Sequence, residues 1–249
     1  MSSWRLADRE TWAEIDALES QIQRFLRGEL TADGLRPLRT FYGVYGQRHK
    51  DRYMVRVKVP QGILEPEQLE RLGQVAEFSR GFAYVTTRQD IQFHFLRLEN
   101  VAAALRALAD VGLTTREAGG NIVRNVTCDP FDGICPDAAF AVTPHSNAVT
   151  RHFLRNPAAQ ALPRKIKIAF SGCPHDHTLA WIHDIGAQAV IKDGRRGFAC
   201  WWVAGWAPYL GRRCCLMSSS LRTSSCGPAR PWCGYSTVPA NAGTGGRPA

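Results

Sequence analysis

Residues 119–135, GGNIVRNVTCDPFDGIC, split this 249-residue chain into two readable parts. A glycine pair ahead of an Asn-rich polar run favours irregular backbone over a regular element. Irregular backbone between rigid units is a frequent place for ligand contacts, and Arg124 sits in its middle, flanked by Asn121 and Asn125.

Upstream of this connector the pattern is clean. Residues 53–59 alternate, placing Tyr53, Val55, Val57 and Val59 on one face and Met54, Arg56 and Lys58 on the solvent side. Residues 66–79 predict a helix that buries Leu69, Leu72, Val75, Ala76 and Phe78. Residues 82–87 and 90–96 predict two strands joined at Arg88-Gln89. The second turns Ile91, Phe93 and Phe95 inward and Gln92 and His94 outward. Asn100 opens a helix through Val101, Leu105 and Leu108, which Gly112 stops. The order strand-helix-strand-strand-helix is that of a ferredoxin-like half domain, assigned to 42–118. Ahead of it, 1–41 is a helical segment whose amphipathic stretch at 8–26 carries Trp12, Ile15, Leu18, Ile22 and Phe25 on one stripe.

Downstream, 147–154 predicts a helix, and 187–191 a strand. Between them, 165–170 predicts a strand with Ile166, Ile168 and Phe170 on one face and Lys165 and Lys167 on the other. The fold class is therefore α+β, a half domain followed by a second, incomplete α+β domain over 119–197.

Charge separates the last part of the chain from the rest. The net charge is +9, but residues 194–249 hold seven Arg and no Asp, Glu, Lys or His. The basic balance belongs to that tail, so it is not read as a nucleic-acid footprint. Residues 198–249 show no helical or strand period and are expected to be an aberrant, low-order tail, the product of a reading-frame shift near Phe198. No apolar run of about 18 residues is present and the first residues lack an apolar signal region, which predicts a cytoplasmic protein without a membrane partner.

Cations arrive from four separate segments: Arg56, Arg88, Arg124, and the Arg164-Lys165-Lys167 group. Each alone is an ordinary solvated strand residue. Together over one cavity they suit an anion or a polycarboxylate, because guanidinium and ammonium groups make charge-assisted hydrogen bonds to such oxygens.

Four motifs in this order, TTRQDIQFH, GGNIVRNVTC, LPRKIKIAFSGC and HDIG, resemble the siroheme-containing nitrite/sulfite reductases over about 42–197. The resemblance implies a pseudo-twofold enzyme, with siroheme and a [4Fe–4S] cluster at its centre, that carries out the six-electron reduction of sulfite or nitrite. Ferredoxin or another donor protein would supply the electrons. It implies anion-binding, catalytic roles for Arg56, Arg124, Lys165 and Lys167. Arg88, Gln92, His94, Asn125 and Arg164 would contact the siroheme. Lys-x-Lys at Lys165 and Lys167 is similar to the sulfite-type pattern. Only the first repeat is recognised, so the chain is expected to be inactive alone, with the cluster cysteines in the second repeat. Cys128-x6-Cys135 and Cys173-x3-His177 are read as buried thiols, and no metal ligands are assigned. Two other readings remain open, a non-catalytic remnant and a ferredoxin-like RNA-binding module that would need aromatics on its outer sheet face.

Overall fold

The computed structural model describes residues 6–202 and the backbone of 215–218. It contains two sheets, each with its own apolar core. The first unit opens with α1 (Arg9–Leu26), capped by Asp8, whose carboxylate accepts from the Thr11 amide at 3.1 Å. Its buried stripe is Ile15, Leu18 and Ile22. A second helix, α2 (Ala32–Phe41), completes the helical segment, with Thr31 capping it from outside.

The half-domain sheet has the order β1-β2-β4-β3, all antiparallel: β1 (Val44–Gly46), β2 (Tyr53–Val57), β3 (Ala83–Val85) and β4 (Ile91–Leu96). Helices α3 (Pro66–Ala76) and α4 (Val101–Asp110) contribute to its core with Leu72, Val75, Leu105 and Leu108, which meet Val55, Val57 and Phe93. On α3 the buried positions are Gln68, Leu72, Val75 and Ala76. Gln68 takes the inward place because its amide donates to Val111 O at 3.0 Å and accepts from the Glu65 amide. That rotation leaves Leu69 at 62% exposed, and Phe78, in the 3-10 turn after α3, is 37% exposed, against the expected burial of both. Phe95 also departs from strict alternation. Its φ of +65° bulges β4, so Leu96 turns inward instead.

The second sheet has the order β5-β6-β7-β8-β9, from β5 (Val123–Cys128), β6 (Ile166–Ser171), β7 (Ile185–Lys192), β8 (Arg195–Trp202) and β9 (Cys215–Ser218). The first three run parallel, β8 returns antiparallel to β7, and β9 is antiparallel to β8. Helix α5 (Thr143–Phe153) packs on β5.

Two expectations are corrected here. The connector is not irregular throughout: residues 123–128 are strand β5, with Asn125, Val126, Thr127 and Cys128 all buried. The fold also does not end at Gly197, because β8 pairs with β7 from Lys192↔Arg195 to Ile185↔Trp202 and buries Phe198, Ala199 and Cys200. The rest of the tail expected to be of low order, apart from the β9 backbone, lies outside the described residues. Among the described residues, no helix is long and apolar enough to cross a membrane.

Lys58 is a further departure. The alternation places it on the solvent side, yet it is only 3% exposed and its Nζ lies 3.4 Å from Glu117 Oε2. Burial pulls its pKa below the ordinary lysine value, and Glu117 works against that. Glu117 is further held by the Arg155 amide at 2.8 Å and by Gln160. Removing one partner of such a pair strands the other charge. Lys58→Ala should therefore lower the urea unfolding free energy by about 3–5 kcal/mol; a loss below about 1 kcal/mol would contradict this account of the pair.

Candidate functional site

The site forms where the β3–β4 turn of the half domain meets the open end of β5 and β6. Gln89, at φ +58°, projects its amide onto the Cys128 backbone, donating to the carbonyl at 2.7 Å and accepting from the amide at 3.0 Å. The Arg88 guanidinium donates to Asn125 O and, at 3.3 Å, to Ile168 O, joining β5 to β6. Asn125 answers from below, its Nδ2 donating to Val59 O at 2.8 Å and Arg88 O at 3.2 Å.

This junction frames a cavity of about 420 Å³ lined by Tyr45, Arg56, Thr86, Thr87, Arg88, Asp90, Gln92, Arg124, Lys165 and Lys167. All four segments proposed from sequence to carry cations therefore meet on one wall. Arg56 Nη1 donates to Ala118 O at 3.2 Å, and its guanidinium sits 5.4 Å from the Tyr45 ring centre. With its amide oxygen turned to Arg56, Gln92 accepts from Nη2 at 2.8 Å and Nε at 2.9 Å. Arg124 reaches the same place from β5: Nη1 donates to Ala118 O at 2.8 Å, Nε to Gly120 O at 3.1 Å and Nη2 to Tyr45 Oη at 3.3 Å. Each guanidinium carries five N–H donors, so about two on each remain for a ligand. Gly119 makes this approach feasible, since a Cβ there would lie 2.1 Å from Thr40 O and 2.5 Å from Tyr45 Oη.

Lys167 has its pKa pulled below the ordinary value by burial first, then by Arg88 and Lys165. Arg88 is lowered to about 10 by burial, which still leaves it protonated at neutral pH. Asp90 is pushed up to about 6, because burial outweighs the attraction of Arg56, Lys58 and Arg88. Its Oδ1 has no hydrogen-bond partner.

Three further residues singled out from sequence stand off the cavity wall. His94 lies between Gln47, 2.9 Å from its Nδ1, and Gln92, and so positions Gln92. Asn125 is 1% exposed and both contacts of its Nδ2 are to backbone carbonyls. Arg164 is exposed and outside the lining. Tyr45, Thr86, Thr87 and Asp90 line the cavity but were not singled out. For Asp90 a signal existed: it is the lone acid in TTRQDIQFH, two positions after Arg88 and two before Gln92.

Thiols are placed apart from this cavity. Cys128 is buried with its pKa raised to about 12 by desolvation, and its Sγ lies 3.6 Å from Thr143 Oγ1. Cys173 is likewise raised to about 11, chiefly by burial, and Cys200 sits in the second core. Four thiolates gathered around one point, as a [4Fe–4S] cluster requires, are not present among the described residues.

Comparison with known proteins gives a consistent picture. Residues 45–111 match the nitrite/sulfite reductase ferredoxin-like half domain, and residues 119–213 match the nitrite and sulphite reductase 4Fe-4S domain. That second match runs past Phe198, where a frame shift was expected. An assimilatory ferredoxin-dependent nitrite reductase of Haloferax mediterranei is 32% identical over 166 residues, covering 61% of this chain and 28% of its own length. A ferredoxin–nitrite reductase of Leptolyngbya laminosa is 35% identical over 153 residues, 59% of this chain and 30% of its own. A sulfite reductase (ferredoxin) of Mycobacterium tuberculosis is 38% identical over 121 residues, 48% of this chain and 22% of its own. The chain thus spans less than a third of the length of these relatives. Among solved structures, the Mycobacterium tuberculosis NirA protein superposes with a TM-score of 0.69 at 27% identity, over 82% of this chain and 41% of that one.

The Asp90 shift sets a pH dependence. Because its pKa is raised, the carboxyl is neutral below about pH 6 and subtracts a charge from the cavity above it. Sulfate, used as a probe, should bind tighter below pH 6 and lose about fivefold, ~1 kcal/mol, as Asp90 ionises. Asp90→Asn should remove that step in a calorimetric titration; identical pH profiles for the two proteins would contradict it.

Proposed function

The chain belongs to the nitrite and sulfite reductase family, and from that premise we propose that its cavity is the anion-holding half of a siroheme centre that reduces sulfite or nitrite. The family is one with an iron–sulfur cluster, as the name of the matched domain states. The observation that carries the proposal is the meeting of Arg56, Arg124, Lys165 and Lys167 over one cavity, with Arg88 and Gln92 on the same wall.

The residues present fit siroheme as a ligand, because a ring bearing many carboxylates needs cations from several directions. Arg88 and Gln92 would face those carboxylates, with His94 holding Gln92 in place. Siroheme, when bound, supplies an iron at which the oxyanion is held and to which electrons are delivered. The side chains do the rest. Arg56 and Arg124 have their planes fixed by the Ala118 carbonyl and by Gln92, Gly120 and Tyr45, so their remaining donors are preorganised towards the anion. Lys167, with its lowered pKa, holds at Nζ a proton that it can release to a departing oxygen. Lys165, beside it, keeps the pocket positive after that transfer.

The cluster does not fit the described thiols, so no step is assigned to it within this chain. In this reading its cysteines belong to a second repeat, which would close the other side of the macrocycle, and ferredoxin is the electron donor. The relatives divide between nitrite and sulfite reductases, so the substrate class is the small oxyanion of nitrogen or sulfur. An RNA-binding sheet finds less support: Tyr84 stands exposed on the outer face beside His94, but Phe93 is 0% exposed and Phe95 lies between the His49 ring and Arg80.

Siroheme titration of the folded chain, followed by visible absorbance, tests the proposal. Arg124→Ala and Lys167→Ala should each weaken binding of siroheme or of its sulfite adduct at least about tenfold, ~1.4 kcal/mol, with circular dichroism unchanged. The chain alone should turn over neither anion. Binding indifferent to both substitutions, or a salt-dependent shift with RNA in its place, would overturn the reading.

A further inference from the structure

On the far side of β5 and β6 from the anion cavity, the ends of these two strands bring together a second group of chemically capable side chains. Asp129 follows β5, and Cys173 and His177 occupy the loop after β6. Cys173 Sγ lies 3.5 Å from Asp129 Oδ2 and 3.4 Å from His177 Nδ1, and His177 Nδ1 lies 3.2 Å from Asp129 Oδ1. Metal–ligand bonds of about 2.0–2.3 Å put neighbouring donors of a tetrahedral zinc site about 3.3–3.8 Å apart. Cys173 and His177 meet different oxygens of Asp129, and one donor atom from each of the three residues lies within 4.8 Å of the other two, a short contraction away from a shared coordination sphere.

The fourth corner opens toward solvent beside the exposed His177 ring, where a water completes the coordination of a three-ligand zinc site. The surroundings hold the set rigidly. The Cys173 carbonyl accepts from Ser171 Oγ at 2.9 Å and Gln188 Nε2 at 3.0 Å. The Asp132 carboxylate pins the loop carrying Asp129 and Cys135, accepting from the Val142 amide and, at 2.8 Å, from the Thr143 amide. Phe131 packs edge-on against the His177 ring at 4.8 Å.

Electrostatics gives an independent reason. The Asp129 side chain is 1% exposed, and the partner it meets in an ion pair among the described residues is His177, cationic only when protonated. A buried carboxylate needs a compensating charge, and a divalent cation supplies it without requiring that proton. His177 is exposed, which gives the ion a way in from solvent.

We propose that Asp129, Cys173 and His177 form a site for one borderline divalent cation, Zn²⁺ by its donor set, with water in the fourth position, that ties the end of β5 to the loop after β6. One thiol and one imidazole with one carboxylate match zinc's preference for nitrogen and sulfur with an occasional oxygen. Binding displaces the Cys173 thiol proton into solvent, leaving a four-coordinate site completed by water with no redox step.

Metal titration of the chelator-stripped full chain tests this without reference to turnover. Zn²⁺ should bind at about one equivalent per chain by elemental analysis. Co²⁺ should give thiolate-to-cobalt charge transfer in the near ultraviolet together with intense four-coordinate visible bands. Cys173→Ser and His177→Ala should each weaken Zn²⁺ binding at least about tenfold; Cys173→Ser should also abolish the thiolate band, and Cys135→Ser should leave it unchanged. The wild-type Co²⁺ spectrum decides the matter even where a variant fails to fold. No equimolar uptake, a six-coordinate spectrum without a thiolate band, a Cys135–Cys173 disulfide in anaerobically purified chain, or iron with acid-labile sulfide would each overturn the proposal.

Discussion

A single arginine inserted between two sheets governs this architecture. Arg88 stands at the tip of the β3–β4 turn and gives its guanidinium to carbonyls of β5 and β6. Gln89 beside it pairs with the Cys128 backbone as though it were one more residue of a neighbouring strand. A buried carbonyl or amide left without a partner costs roughly 1–3 kcal/mol, and these contacts supply partners to Asn125 O, Ile168 O and the Cys128 backbone. The half domain therefore satisfies the second sheet, and Asn125 returns the favour through Val59 and Arg88. Once that junction is made, the placement of the cavity follows. Arg56 and Gln92 come from β2 and β4, Arg124 from β5, and Lys165 and Lys167 from the start of β6.

The same geometry explains why so many cations tolerate one another. Arg56 and Arg124 share the Ala118 carbonyl, and Tyr45 offers its ring to one and its hydroxyl to the other. Asp90 lies among them as the single carboxyl of the lining, half-way to neutral near pH 6. A pocket built this way has its dipoles and charges arranged before a ligand arrives, which is the condition under which electrostatic stabilisation is strongest. Like charges held close also raise the cost of keeping the site empty, and an anion relieves it.

Much of this was legible in the sequence, and the exceptions have physical causes. Period-two alternation located β2, β4 and β6, and the cations on them, because a half-buried strand writes its faces directly into the chain. Lys58 broke that rule: its partner Glu117 is 59 residues away, and no local pattern announces a long-range buried pair. Gln68 displaced Leu69 from the core for a similar reason, its partner being the Val111 carbonyl. The glycine pair suggested irregular backbone, yet Gly119 serves a close approach to Thr40 and Tyr45 and strand β5 begins four residues later. Lack of acidic residues after position 193 argued for a tail without structure, whereas β8 carries Phe198 and Cys200 into the core. Absence of one residue class says little about strand pairing, which rests on backbone hydrogen bonds and apolar faces.

The central claim is that these separated cations act as one anion-binding unit, and the most direct measurement is an anomalous difference map from a crystal soaked in selenate. The account predicts a selenium peak within hydrogen-bonding reach of Arg56, Arg124 and at least one of Lys165 and Lys167. Selenate bound only elsewhere on the surface, with that cavity left to solvent, would contradict it.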